Sequence, residues 1–235
     1  MSSRLRLALS SPDSKSRYVR RLFSTIAERY DLITRLLSYG QDRRWKARIA
    51  GLSEARRGKR ALDLACGTGD IAFALAARGA RVVGLDITHR MVQLAGEKDS
   101  TVAFVTGDML ALPFPDATFD VVTTGYGLRN VPDIPLALAE AARVLKRGGV
   151  LLSLDFNRPS HWFVRGVYLT YLTIVGSVVG TILHGDADTY RYIPESIRRY
   201  PGAAEVTAMI RRAGFSEGQH IPVLGGLMAI HHARR

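Results

Sequence analysis

The chain has 235 residues, 47% of them apolar, enough for a full core in one embellished domain and too short for two. Its 33 Lys and Arg against 21 Asp and Glu leave a net charge of +12, which favours nucleic acid, an acidic membrane surface or an acidic ligand as partner. A single cysteine excludes an internal disulfide framework, and no Cys/His cluster has metal-ligand spacing, so a cytoplasmic protein without structural zinc is expected.

Residues 1–17, rich in Ser, Arg and Leu, lack the apolar centre of a secretory signal and read as a frayed, disordered tail. A single domain then fills 18–235. Within 18–58, Val19 to Gly51 has helical spacing, with Tyr30 and Trp45 among its apolar positions, and predicts helices packed ahead of a sheet. From 59 to 157 strands and helices alternate: strands at 60–65, 81–85, 102–105, 119–124 and 150–154, helices at 71–78, 91–98 and 134–145. That alternation predicts a parallel sheet covered on both faces. Lys146-Arg147-Gly148-Gly149 reads as the basic, glycine-terminated end of the last of these helices. Residues 158–200 interrupt the pattern as an apolar insertion, and 201–235 return to a helix followed by an antiparallel hairpin at one sheet edge.

The first strand runs into a turn, "LDLACGTGD", that places Asp63 in the strand, Gly67 and Gly69 in the turn and Asp70 at the next helix start. Glycines there let a ligand approach the backbone, as in any nucleotide-binding βα turn. Gly67-Thr68-Gly69 with Ala72 also satisfies a relaxed dinucleotide fingerprint, so the turn alone decides nothing. The charges do decide. A pyrophosphate needs an anion-friendly helix start, whereas two carboxylates flank this loop and suit a cationic ligand. S-adenosylmethionine, with an ammonium, a sulfonium and no phosphate, meets that requirement. Asp86, ending the second strand in "VVGLD", is placed to accept from ribose hydroxyls, with Ile87 beside it in the cofactor site. Asp108 of "TGDM" follows the third strand and is assigned the adenine amino group, with Met109 giving backbone contact. Each acid alone reads equally well as a helix cap; four at successive strand ends point to a ligand. Cys66 reads as a small loop residue, not a nucleophile.

With those residues the chain resembles the ubiquinone/menaquinone biosynthesis C-methyltransferases over nearly its whole length. The matching stretches are "VRRLFSTIAERYDLITRLLSYGQDRRWK", "LDLACGTGD", "VVGLDIT", "LPFPDATFDVVTTGYGLRNVPD", "VLKRGGVLLSLDFNRP", "YRYIPESIRRYP" and "LGGLMAIHHA". The first and the last three are far more specific than the glycine loop. The resemblance implies the α/β fold of class I S-adenosylmethionine-dependent methyltransferases: a Rossmann-like seven-stranded sheet with its last strand antiparallel, N-terminal helices and a helical lid. It also implies methyl transfer from S-adenosylmethionine to a ring carbon of a reduced polyprenyl quinone precursor, a demethylmenaquinol or the ubiquinone-pathway benzoquinol. Carried over by position, the family's cofactor contacts fall on Thr68, Asp86, Asp108, Met109 and Gly125. Many members have serine at this last position, so a hydroxyl is lost here. A second departure is "YLTIVGSVVGTIL", where many relatives read closer to Leu-Pro-x-x-Gly.

The strand at 119–124 leads into "GYGLRNVP". Carbon methylation needs a hydroquinone ring held in line with the sulfonium methyl and a developing phenolate that is stabilised. Arg129 stays protonated and suits that stabilisation, polarising a water that takes the proton. Asn130 is assigned to orient that water or the second ring oxygen, and Tyr30 to close over the methyl group from the N-terminal helices. Spacing alone also allows a surface pair between Arg129 and Asp133, with Asn130 opening the next helix.

Residues 166–183 carry no charge and just reach the length of a membrane span, with Gly176-x-x-x-Gly180 inside. Their Thr, Ser and Tyr content favours a lid over an isoprenoid tail, with flanking arginines giving peripheral contact with the inner face of an anionic membrane. A plain buried helix pair fits the same pattern. Rival readings are an RNA methyltransferase, a methyltransferase of another small prenylated phenol, and a silent quinone carrier. Nucleic acid is not expected, since the basic residues lack interleaved aromatics. A homodimer is left open.

Overall fold

The structure, a computed structural model, describes residues 5, 7, 9–185 and 188–235. Its centre is a seven-stranded sheet of order β3-β2-β1-β4-β5-β7-β6. The strands are β1 (Arg60–Leu64), β2 (Arg81–Asp86), β3 (Ala103–Thr106), β4 (Phe119–Gly125), β5 (Leu145–Phe156), β6 (Glu217–Val223) and β7 (Met228–Arg234). The first five are mutually parallel, and β7 runs antiparallel between β5 and β6. This is the expected fold, with the expected hairpin at the edge.

Alternating residues of each strand feed opposite cores. Val122 and Leu151 pack with Leu138 and Ile210, from α6 (Ile134–Val144) and α9 (Ala203–Arg212), whereas Val121 and Leu152 pack with Ile49 and Leu75. The latter two come from α3 (Asp42–Leu52) and α4 (Asp70–Ala76). Helix α5 (His89–Lys98) links β2 to β3. Ahead of α3 lie α1 (Pro12–Ile26) and α2 (Tyr30–Leu37); α7 (Trp162–His184) and α8 (Asp188–Arg199) form the insertion.

Two expectations are corrected. The frayed tail of 1–17 lies in part outside the described residues, but α1 begins within it, at Pro12, behind a reciprocal cap between Ser11 and Ser14. Leu5 and Leu9 are buried with Val19 of α1 and Tyr192 of α8, and Lys15 Nζ donates to the carbonyls of Arg129 and Val131 at 3.1 and 2.6 Å. Such partners, more than 100 residues away, leave no local trace in the sequence. The Lys146–Gly149 stretch, read as a helix end, belongs to β5. Helix α6 stops at Val144, and the sheet register jumps from Phe119↔Leu145 to Val121↔Val150, so the glycines form an irregularity at the strand's start. The Gly176-x-x-x-Gly180 pattern also serves inside the protein: a Cβ on Gly176 would lie 3.2 Å from Tyr190 Cβ, so the glycine admits α8 against α7.

Candidate active site

Parallel pairing brings the carboxyl ends of β1, β2, β3 and β4 to one edge, because Leu64 stands opposite both Leu85 and Thr124. Three adjoining cavities open there. A cleft is lined by Gly67, Asp86, Ile87, Asp108, Met109 and Gly125, with Asn130 and Tyr30 on its far wall. A small pocket beside the glycine turn is lined by Asp63, Thr68, Asp70 and Lys46. A cavity of about 230 Å³, almost wholly apolar, lies beneath α1, α2, α7 and α8. Tyr30 and Tyr126 border all three.

The turn itself depends on backbone conformation. Gly69 is left-handed at φ 92°, and a Cβ there would sit 2.8 Å from the Phe73 ring and 3.0 Å from Phe104. Glycine is therefore what lets the turn take this shape. Gly67 leaves room toward Tyr30, whose Cε1 is 3.6 Å from where a Cβ would stand. Asp86 is buried, with Oδ2 accepting from Gly67 N at 2.9 Å and Oδ1 from Thr88 N at 2.8 Å. Burial raises its pKa, against those amides. Asp108 accepts from Leu110 N at 2.9 Å. A Cβ on Gly125 would meet Ile71 Cδ1 at 2.7 Å, so glycine here accompanies an isoleucine that fills the space of the missing side chain.

Asp63 is buried, and Thr123 Oγ1 donates to its Oδ1 at 2.7 Å, but its Oδ2 has no hydrogen-bond partner among the described residues. Burial pushes this carboxyl up to about 7, against the pull of the Thr123 hydroxyl and the Lys46 cation. An unsatisfied buried acceptor beside the nucleotide turn fits an ammonium ligand such as the methionine end of S-adenosylmethionine. Thr68 and Asp70 are already engaged. The Thr68 hydroxyl donates to Asp31 of α2 at 2.5 Å, and Asp70 pairs with Lys46 at 2.8 Å. Burial pushes the Cys66 thiol well up, followed in effect by Asp86 and Asp63, consistent with an inert loop residue.

After β4 the chain turns at Tyr126, a non-glycine residue at φ 61°. The turn is held from both sides. Arg129 Nη1 and Asn130 Nδ2 both donate to the Tyr126 carbonyl at 2.7 Å. Arg129 is 7% exposed, and its guanidinium pairs with buried Asp155 at 3.0 Å while Asp155 also accepts from the Arg129 amide at 3.1 Å. Burial opposes the Arg129 charge, yet Asp155 raises its pKa. The Phe156 ring lies 4.9 Å below the guanidinium. The surface pair with Asp133 does not form; Asp133 caps α6 by accepting from Leu136 N at 2.9 Å. Arg129 and Asn130, adjacent in sequence, face different cavities. Arg129 is the one cation on the apolar cavity's wall among the described residues, and Asn130 looks into the cleft, its Oδ1 accepting from Tyr192 OH at 3.0 Å.

The apolar cavity is walled by Ile26, Ile33, Leu37, Leu172 and Ile193. Exposed Tyr39, Tyr171 and Leu224 stand at its lining, and the Tyr39 and Tyr171 hydroxyls hydrogen-bond to each other. Helix α7 is the one described helix long and apolar enough to cross a membrane, yet only 22% of that stretch is buried. Phe163, Val167, Ile174, Val178 and Ile182 form an exposed stripe, so it is not a plain buried helix.

Sequence reading missed Asp155, Tyr126, Tyr192 and Lys46. Asp155 had a usable signal, since parallel pairing of β4 with β5 sets Gly125 opposite Leu154. Lys46 and Tyr192 are placed by helices whose docking no local pattern announces, and Tyr126 sits in the turn after β4.

The model of the ubiE/COQ5 methyltransferase family matches residues 11–235. The chain is 43% identical to the demethylmenaquinone methyltransferase of Thermus thermophilus, over 89% of this chain and 98% of that one. It is 41% identical to the ubiquinone/menaquinone biosynthesis C-methyltransferase UbiE of Paracoccus denitrificans, over 92% and 90%. Among solved structures, a methyltransferase of Thermotoga maritima that depends on S-adenosylmethionine superposes with a TM-score of 0.67 over 92% of this chain and 99% of that one, at 19% identity.

Proposed function

This chain belongs to the ubiE/COQ5 methyltransferase family, and from that premise we propose that it methylates a ring carbon of a reduced polyprenyl quinone precursor, using S-adenosylmethionine. The observation that carries this reading is the apolar cavity, which holds one buried cation, Arg129, and meets the cofactor cleft at Tyr30 and Tyr126. A prenyl tail matches its aliphatic walls, and a ring oxygen matches Arg129.

The cofactor, held by Asp63, Gly67, Asp86, Asp108 and Met109 with Ile87 and Gly125 on the walls, supplies an electrophilic methyl group. The remaining work belongs to the protein. Arg129, kept charged by Asp155, stabilises the phenolate that forms as the ring carbon becomes nucleophilic, the kind of preorganised contact whose removal costs about 10²- to 10³-fold in rate. Asn130 acts as a positioning residue, because its amide bonds fix the Tyr126 carbonyl and the Tyr192 hydroxyl. Tyr30 excludes water where the chambers meet; burial pushes its phenol up to about 12, so it remains neutral. One proton leaves overall, through water near Arg129: the ring hydroxyl gives up its proton as the carbon attacks, and the C–H proton lost from that carbon as aromaticity returns restores the hydroxyl.

The exposed stripe of α7 lies on an anionic membrane surface in this reading. No acid occurs from residue 156 to residue 185, the chain's net charge is +12, and the stripe adjoins the Tyr39–Tyr171 side of the cavity through which a tail enters.

The test is incubation with radiolabelled S-adenosylmethionine and a reductant-treated prenyl naphthoquinone lacking its ring methyl, or the benzoquinone counterpart, followed by lipid separation. Label in lipid only with reductant is the expected result, and the ring that accepts it gives the preference. No label in either lipid, with cofactor binding intact, would overturn the reading.

A further inference from the structure

The methionine end of S-adenosylmethionine carries a carboxylate as well as two cationic groups, and a site for it needs donors, of which a cation binds most strongly. The small pocket beside the glycine turn joins the cofactor cleft, sharing Tyr30, Ala65, Gly125 and Tyr126 with it. Asp63 lines it too, and its buried Oδ2 has no hydrogen-bond partner among the described residues. The one cation lining that pocket among the described residues is Lys46, which is 7% exposed and reaches in from α3, outside the sheet. Its Nζ lies 2.6 Å from Asp42 Oδ2 and 2.8 Å from Asp70 Oδ2, so two of three ammonium protons are engaged and one is free to donate. Burial disfavours the charge, but the Asp42 and Asp70 carboxylates hold it above the ordinary lysine range.

Resting on the cofactor reading above, we propose that Lys46 is the carboxylate anchor of the S-adenosylmethionine site, pairing with the methionine carboxylate while Asp63 takes the ammonium. The arrangement separates the two charges of the zwitterion: the acid comes from β1 and the base from the N-terminal helices. Asp42, steadied by the Tyr126 hydroxyl at 2.7 Å, keeps Lys46 aimed into the pocket. Asp70, half-exposed at the start of α4, competes with the cofactor for Lys46. Cofactor binding therefore bridges α3 and β1.

Calorimetric titration of the whole chain with S-adenosylmethionine, decarboxylated S-adenosylmethionine and 5′-methylthioadenosine tests this without any turnover. Wild type is expected to prefer the intact cofactor over its decarboxylated form by about 10- to 100-fold, the worth of a charge-assisted hydrogen bond. Lys46→Met abolishes that preference and leaves methylthioadenosine affinity within about twofold, since the adenosine contacts are untouched. Asp70→Asn, which keeps a hydrogen-bonding side chain at the start of α4 and leaves Lys46 paired with Asp42, widens the preference by removing the competing acid. A Lys46→Met protein that still discriminates like wild type, a wild type that does not discriminate, or an Asp70→Asn protein with a narrowed preference would each overturn the anchor. Lys46 would then be a structural tie between α3 and α4. Failure of all three ligands to bind wild type would instead overturn the cofactor reading, and the anchor with it.

Discussion

Replacing Arg129 by Met separates the structural from the chemical use of the buried pair. The substitution removes the 3.0 Å contact with Asp155 and the 2.7 Å bond to the Tyr126 carbonyl, and leaves a carboxylate that is 1% exposed with only two amide donors, Arg129 N and Phe156 N. Stranding one member of a buried pair costs about 3–5 kcal/mol. For a chain of this size that is a fall in Tm of roughly 6–20 °C. Asp155→Asn alone strands the arginine and costs a similar amount. The double variant, Arg129→Met with Asp155→Asn, has no unpaired charge, and its single side-chain oxygen accepts from one of the two amides, so it recovers part of the loss and ends about 1–3 kcal/mol below wild type, the cost of the amide left unpaired. Turnover does not recover with it. Methyl transfer falls about 10²- to 10³-fold in both Met-containing variants, while cofactor affinity stays within about threefold of wild type. Urea denaturation and the radiolabelled lipid assay on the four proteins measure both quantities. A double variant more stable than either single variant but inactive is the expected outcome. A double variant that regains turnover would reduce Arg129 to a structural residue, and an Arg129→Met protein as stable as wild type would refute the buried pairing.

Asp63 couples the site to pH. Its pKa in the folded protein, about 7, exceeds the ordinary carboxyl value of 3.8, so its contribution to stability is full below pH 3.8 and is lost as pH rises through 7. The unliganded protein loses stability over that window relative to Asp63→Asn, whereas cofactor affinity rises between pH 6 and 8 as the acid ionises. Melting and calorimetry across pH measure both, and a pH-independent affinity would count against an ionic role. Gly84→Ala puts a Cβ about 2.5 Å from Phe104 Cδ1, so a loss of roughly 1–3 kcal/mol is expected in denaturant; an unchanged midpoint would show that the Phe104 ring moves freely. Ile174→Asp with Val178→Asp places two charges on the exposed stripe of α7. Flotation with anionic vesicles falls about tenfold or more, and the melting temperature is unchanged. Undiminished flotation would move the membrane face elsewhere.

The central sheet was legible because its periodicities are local: β2, β3 and β4 are short apolar runs ended by Asp86, Gly107 and Gly125, and the helices between strands repeat an apolar face every three to four residues. Asp63, Asp86 and Asp108 were legible for the same reason, as strand-end acids in a parallel sheet. Lys15, Lys46 and Tyr192 were not, since each acts through a helix that docks from far along the chain, and docking depends on surfaces that composition does not order. Tyr126 was hidden differently. Its role lies in a backbone carbonyl and a left-handed φ of 61°, which side-chain identity does not signal for a non-glycine residue. In the insertion, uncharged length was plain, but only the structure separates the buried face of α7, with Tyr168 and Leu169, from the exposed one.

The strand order bears on how the chain is made. β6 has β7 as its one neighbour, and β7 is inserted beside β5, seven residue pairs on each side. During synthesis the edge of β5 therefore waits bare while the ribosome adds about 70 residues, at about 5–20 residues per second. The lid helices, with their exposed apolar stripe, emerge in that interval, before residues 228–234 can close the sheet. This nascent chain exposes an open strand edge and a greasy helix together, the combination that makes unfinished chains prone to aggregate, and a lipid surface meeting that helix early would shield its stripe until the last strand arrives.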